Sequence, residues 1–144
     1  MGRKKFFNKQ KKNYIAIIGI EKSLIKKHYD FLTLKQNGPI LYCYGEYQPT
    51  KNSRTYKFRI KYSPPNRPVV TVMEPKIEYN DDIHMYPSDN SLCLYHKTDL
   101  VWSTNYHIFD TIIPWTLEWF VFYELYLITG KWKHPYVPHT TKKE

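Results

Sequence analysis

Cys93 offers the most chemistry of any residue in this sequence. It lies in the stretch His84-Met85-Tyr86-Pro87-Ser88-Asp89-Asn90-Ser91-Leu92-Cys93-Leu94-Tyr95, after a polar turn and ahead of Trp102. A thiolate attacks carbonyl carbon readily, and the thioester it forms stays reactive toward amines. At an unshifted pKa of about 8.5, only a few per cent of a thiol is ionised at neutral pH. A cysteine between two leucines is also a common small core residue, so its immediate neighbours leave both readings open. Cys43 alternates within a strand pattern and reads as inert.

Other constellations carry less. His84, Cys93, His96 and His107 contain no tight ligand pair, so no metal site is expected. The His-x-Glu and Pro-Cys-x-x-Cys elements of a nucleobase deaminase are absent. Ala16-Ile17-Ile18-Gly19-Ile20 lacks the second and third glycines of a dinucleotide turn, and there is no P-loop, so no cofactor is expected. A Cys-His hydrolase stays open by residue type, because His84, His96 and His107 each offer a base. The short chain and its order of elements argue against it.

The elements that must position Cys93 come from 144 residues, enough for one domain with one core. Hydrophobic residues make up 42%, which excludes wholesale disorder. The 14 tyrosines favour strands and half-buried surfaces over a plain helical bundle. Two cysteines cannot build a disulfide scaffold, so a reduced, cytoplasmic setting is expected. Residues 1–13 read as a basic tail with no signal-peptide cleavage site, and Phe6 stands where a myristoylation motif wants Ser or Thr. Ile112–Ile128 is apolar, but Glu118 and Glu124 inside it argue for a buried helix and against a membrane partner.

A helix is expected over Gly19–Lys35, with Ile20, Leu24, His28 and Phe31 as its apolar stripe, ended by Asn37-Gly38-Pro39. Strands are expected at Ile40–Tyr47, Arg54–Tyr62 and Val69–Met73. In the second, Tyr56, Phe58, Ile60 and Tyr62 point one way while Thr55, Lys57, Arg59 and Lys61 point the other. Short connections make these an antiparallel meander. Regularity is lost from Glu74 to Asn105, and irregular segments of that length are often functional. A second helix is expected over Pro114–Thr129, closed by Gly130. Apolar residues surround it, so it is expected to be buried centrally or covered by a partner.

In this order the chain resembles the ubiquitin-conjugating enzymes, over about residues 19–130. Tyr62-Ser63-Pro64-Pro65-Asn66-Arg67-Pro68-Val69 is similar to their Pro-rich strand connection, His84 to the histidine of their His-Pro-Asn turn, Leu92-Cys93-Leu94 to their active site and Trp102 to the tryptophan after it. The phrase around Cys93, with Ile113-Pro114-Trp115 to Gly130-Lys131-Trp132, resembles the compact conjugating proteins of CBASS antiphage operons, which act on a cGAS-like nucleotidyltransferase. The implied fold is α+β: an N-terminal helix, an antiparallel β-meander, an active-site loop and a central helix, without the two C-terminal helices of longer members. The catalytic domain would span residues 14–133, and residues 134–144 would form a C-terminal tail.

The resemblance implies a cysteine transferase in antiviral defence. Cys93 would carry a protein C-terminus as a thioester, with the cGAS-like nucleotidyltransferase or another protein as acyl donor. Tyr86 stands where the family has its oxyanion-supporting asparagine. Asn90, Ser88 or a backbone amide would then supply that hydrogen bond. His84 would hold the loop by hydrogen bonds or act as a base. Asp99 would orient or deprotonate an incoming amine or stay solvated, and Trp102 would be a packing anchor. Two alternatives stand beside this reading: a catalytically silent binding module on the same fold, and a basic nucleic-acid-binding domain drawing on the net charge of +9. The last ranks lowest, because the basic residues are spread along the sequence and are not interleaved with aromatics on one stripe.

Overall fold

A computed structural model describes residues 2–134, with side chains from residue 13 onward. Helix α1 runs Gly2–His28 and is followed by strands β1 (Thr33–Asn37), β2 (Ile40–Tyr47), β3 (Tyr56–Tyr62) and β4 (Val69–Glu74). Two short strands, β5 (Met85–Tyr86) and β6 (Ser91–Leu92), precede helix α2 (Ile112–Thr129). The strands form one antiparallel sheet in the order β1-β2-β3-β4-β6-β5. Among the described residues the chain is therefore α+β with two helices and a six-stranded antiparallel sheet, consistent with a small ubiquitin-conjugating-like fold.

The alternation of β3 sets the layers. Tyr56, Phe58, Ile60 and Tyr62 are buried together with Leu41 and Cys43 of β2 and Val70 and Val72 of β4. This inner face receives the first half of α2, whose Ile112, Ile113, Thr116, Trp119 and Phe120 are buried. The Phe120 ring stacks 4.6 Å from Tyr56 and lies 5.8 Å from Phe58. Full burial of side chains this size stabilises the fold by about 1.5–3 kcal/mol each. Gly45 on β2 allows the closest approach: a Cβ there would stand 2.6 Å from Leu32 and 2.7 Å from Phe58.

Helix α1 begins at Gly2, so its backbone takes in the basic segment 2–13. Three expectations change. The helix ends at His28, and Thr33–Asn37 is a strand paired with β2. Asn37-Gly38-Pro39 is thus a hairpin turn, with Gly38 at φ 61°, a left-handed conformation that costs glycine little. Among the described side chains, the buried positions of α1 are Ile18, Glu21 and Ile25, while Ile20 and Phe31 from the expected stripe are about half exposed. Glu21 is the reason a hydropathy pattern misses this face. Its carboxylate is buried and accepts hydrogen bonds from the Ile108 backbone N–H and His107 Nδ1, both at 2.8 Å.

The third change concerns α2. Gly130 closes it as expected, at φ 74° and with its N–H on the Tyr126 carbonyl at 2.7 Å. The helix is not buried all round: its buried residues lie on one side of the first half, Glu118 there is exposed, and so are Leu125, Leu127 and Ile128, Ile128 by 79%. α2 is the last helix among the described residues, and the expected tail 134–144 lies outside them except for His134. Among the described residues no helix is long and apolar enough to cross a membrane.

Candidate active site

The loop that carries Cys93 is built from a miniature hairpin. β5 and β6 pair through Met85 with Leu92 and Tyr86 with Ser91. Asn90 makes the reversal possible: its φ is 58°, a region that asparagine tolerates better than most residues, and its N–H donates to the Tyr86 carbonyl at 3.0 Å. Asp89 Oδ1 accepts from the Ser91 N–H at 3.0 Å and from its hydroxyl at 2.7 Å. Ser91 pairs with Thr71 of β4, so the hairpin is an extension of the main sheet.

Cys93 continues this ladder. Its N–H donates to the His84 carbonyl at 3.1 Å, and the same oxygen accepts the Trp119 indole N–H at 2.9 Å. One carbonyl therefore ties the cysteine to α2. Cys93 is 3% exposed; its thiol donates to the Tyr95 carbonyl at 3.3 Å and also shares a hydrogen bond with the Tyr86 side chain. Burial pushes the Cys93 thiol above its ordinary pKa, while the Tyr86 hydrogen bond and the positive charge of Arg67 pull it back part of the way. The Arg67 guanidinium stands 4.2 Å from the centre of the Tyr86 ring. Burial, with Cys93 alongside, raises the Tyr86 phenol, and burial raises that of Tyr95.

Beside the two tyrosines opens a cleft of about 370 Å³. Its walls are the cations Arg67 and Lys97, the phenols Tyr86 and Tyr95, and the apolar Leu100, Val101 and Trp102. Cys93 is thus a buried residue whose thiol is bonded to residues that line a cleft. The Tyr95 hydroxyl is buried and has no hydrogen-bond partner among the described residues.

The expected site residues are only partly brought together. Tyr86 and Cys93 meet directly. Trp102 lines the cleft and is anchored by its indole N–H on the Tyr62 hydroxyl at 3.3 Å. His84 reaches the cysteine through its main chain, while its ring packs 5.3 Å from Trp132 and 6.0 Å from His134. The Asn90 side chain is committed to the loop, with Oδ1 accepting from the Tyr79 N–H at 3.1 Å and Nδ2 facing Glu78 at 3.5 Å. Asp99 is exposed in a turn whose N–H donates to the His96 carbonyl at 2.9 Å. Arg67, Tyr95 and Lys97 are the residues that sequence reasoning missed. The available signal was an arginine locked inside a Pro-rich connection, where a turn fixes its position. Among the described residues no three His, Cys, Asp or Glu side chains gather where they could hold a metal ion.

No curated protein matches the sequence. A family model described as Type II CBASS E2 protein matches residues 21–140. That span takes in the sheet, the cysteine loop and α2 in one run, and the chain belongs to this family of compact E2-like conjugating proteins of CBASS antiviral defence.

Proposed function

We propose that the chain is a cysteine acyl transferase that carries the C-terminus of a cGAS-like nucleotidyltransferase as a thioester on Cys93. The observation that carries this reading is the thiol's setting: it is bonded to Tyr86 and Tyr95, which line a cleft of about 370 Å³ together with the cations Arg67 and Lys97. The Cys93 thiol gives up its proton, and its sulfur attacks the carbonyl carbon of an activated donor C-terminus. The C–S bond forms as the bond to the leaving group breaks, and the leaving group departs with that electron pair and a proton. An amine or water then attacks the thioester, a C–N or C–O bond replaces C–S, and the thiol is restored. In this reading the Tyr86 hydroxyl donates to the oxyanion in both halves, in place of the asparagine of the wider family. Arg67 favours the thiolate. The chain has no nucleotide-binding motif, so the donor arrives activated.

A non-reducing gel tests this. The chain, its operon nucleotidyltransferase and the activating partner should give an adduct that dithiothreitol removes. Cys93→Ala should abolish it, and Cys93→Ser should leave a thiol-resistant ester. An adduct that persists in Cys93→Ala sinks the assignment.

The burial of Cys93, 3% exposed, favours a second reading, a binding module on the same fold. Here the nucleotidyltransferase would bind without any adduct, and Cys93→Ala would bind as tightly as the parent chain.

A further inference from the structure

The sheet face turned away from α2 gathers residues that are scattered in the sequence. Lys35 of β1, Tyr42 and Tyr44 of β2, and Lys57, Arg59 and Lys61 of β3 all alternate with inward residues and so share this face. In register, Tyr42 lies between Lys35 and Lys61, and Tyr44 lies beside Arg59. The Lys35 ammonium stands 5.7 Å from the Tyr44 ring and the Arg59 guanidinium 5.9 Å from the Tyr42 ring. The two rings are nearly parallel, inclined by 20° with centroids 6.5 Å apart. Lys57 is answered by Glu74 at 3.6 Å. Among the described residues no carboxylate pairs with Lys35, Arg59 or Lys61, and Arg59 Nε has no hydrogen-bond partner.

Glu46, opposite Lys57 in register, and Glu74 balance the Lys57 end of this face, whereas Lys35, Arg59 and Lys61 repel one another, and an anionic partner relieves that repulsion. Two phenol rings set among them add a stacking platform, which bare phosphate or a carboxylate side chain would leave unused. A duplex hides its base faces, whereas a single strand offers them. We propose that the outer sheet face binds single-stranded nucleic acid, with bases stacked on Tyr42 and Tyr44 and phosphates held by Lys35, Arg59 and Lys61. The reason for ranking nucleic acid last, that charge and aromatics are not interleaved, applies to the sequence order and is reversed by strand pairing. This site is separate from the Cys93 cleft and does not depend on the thioester reading.

Fluorescence anisotropy with labelled oligothymidylate and oligouridylate of about 20 nucleotides, and a duplex of equal length, tests the proposal on the full chain. Single strands should bind more tightly than duplex. Tyr42→Ala with Tyr44→Ala should weaken binding about tenfold or more, whereas the Tyr→Phe pair should retain it. Replacing Lys35, Arg59 and Lys61 by Gln should reduce the slope of log K against log salt by about 2. If that triple variant loses its folded circular dichroism spectrum, Lys35→Gln and Lys61→Gln singly should each reduce the slope by about 0.7. Binding unchanged in folded variants, equal affinity for duplex, or displacement of the oligonucleotide by polyglutamate at equal charge overturns the proposal. The last outcome would make this a surface for acidic protein.

Discussion

The Cys93 thiol meets Tyr86 and Tyr95 before it meets solvent, and that contact sets its reactivity. Burial favours the neutral thiol, and the Tyr86 hydroxyl and Arg67 guanidinium favour the thiolate. The sign of two substitutions follows. Tyr86→Phe removes a donor to the thiolate and Arg67→Ala removes a cation, so each should raise the pKa of Cys93. Capture of Cys93 by iodoacetamide, followed by peptide mass spectrometry to separate it from Cys43, should slow several-fold at pH 7.5 in both variants. The rate should rise to its plateau at higher pH than in the parent chain. A pH profile that does not move would show that neither group reaches the sulfur. Cys43 serves as the internal control, because burial pushes its thiol up to about 12 and it should stay unlabelled in the folded chain.

At the scale of elements, α1 is fastened to the segment leading into α2 by one buried carboxylate. Glu21 accepts from the Ile108 N–H, and nothing apolar can replace that acceptor. Glu21→Ala should leave a buried N–H unpaired and cost about 1–3 kcal/mol in urea unfolding. Glu21→Gln keeps an acceptor oxygen and should lose less. Equal losses in the two variants would mean that the charge, through His107 at 2.8 Å, matters more than the backbone bond. The Cys93 loop depends on a similar economy of contacts. The His84 carbonyl serves Cys93 and Trp119 together, so α2 positions the cysteine without touching its sulfur through that bond.

At the scale of the molecule, the sheet has one face committed to α2 and another that presents Tyr42 and Tyr44 beside Lys35, Arg59 and Lys61, which no carboxylate among the described residues pairs. α2 is divided in the same way, with its first half in the core and its last turns in solvent. Phe120→Ala should cost about 3–5 kcal/mol, because it empties space between Tyr56 and Phe58. Ile128→Lys, at a position 79% exposed, should change stability by no more than about 0.5 kcal/mol. Thermal melts of the two variants would check this, and a large loss in Ile128→Lys would reveal that the end of α2 is covered.

The alternation Tyr56-Phe58-Ile60-Tyr62 was enough to identify β3 and its buried face, and Gly130 was enough to end α2. The order of His84, Cys93 and Trp102 after a meander was enough to suggest the family. β1 could not be read, because four of its five residues are exposed and carry no apolar period. β5 and β6 are two residues each, too short for any period, yet they set the geometry of the cysteine. Hydropathy also misplaced the buried face of α1, where a carboxylate occupies a core position. A sequence period records which residues of one element share a face. Which faces then meet is decided by strand register and by long-range hydrogen bonds. Those alone placed Arg67 beside Tyr86, sealed the Cys93 thiol, and brought Lys35, Tyr42, Tyr44, Arg59 and Lys61 onto one surface.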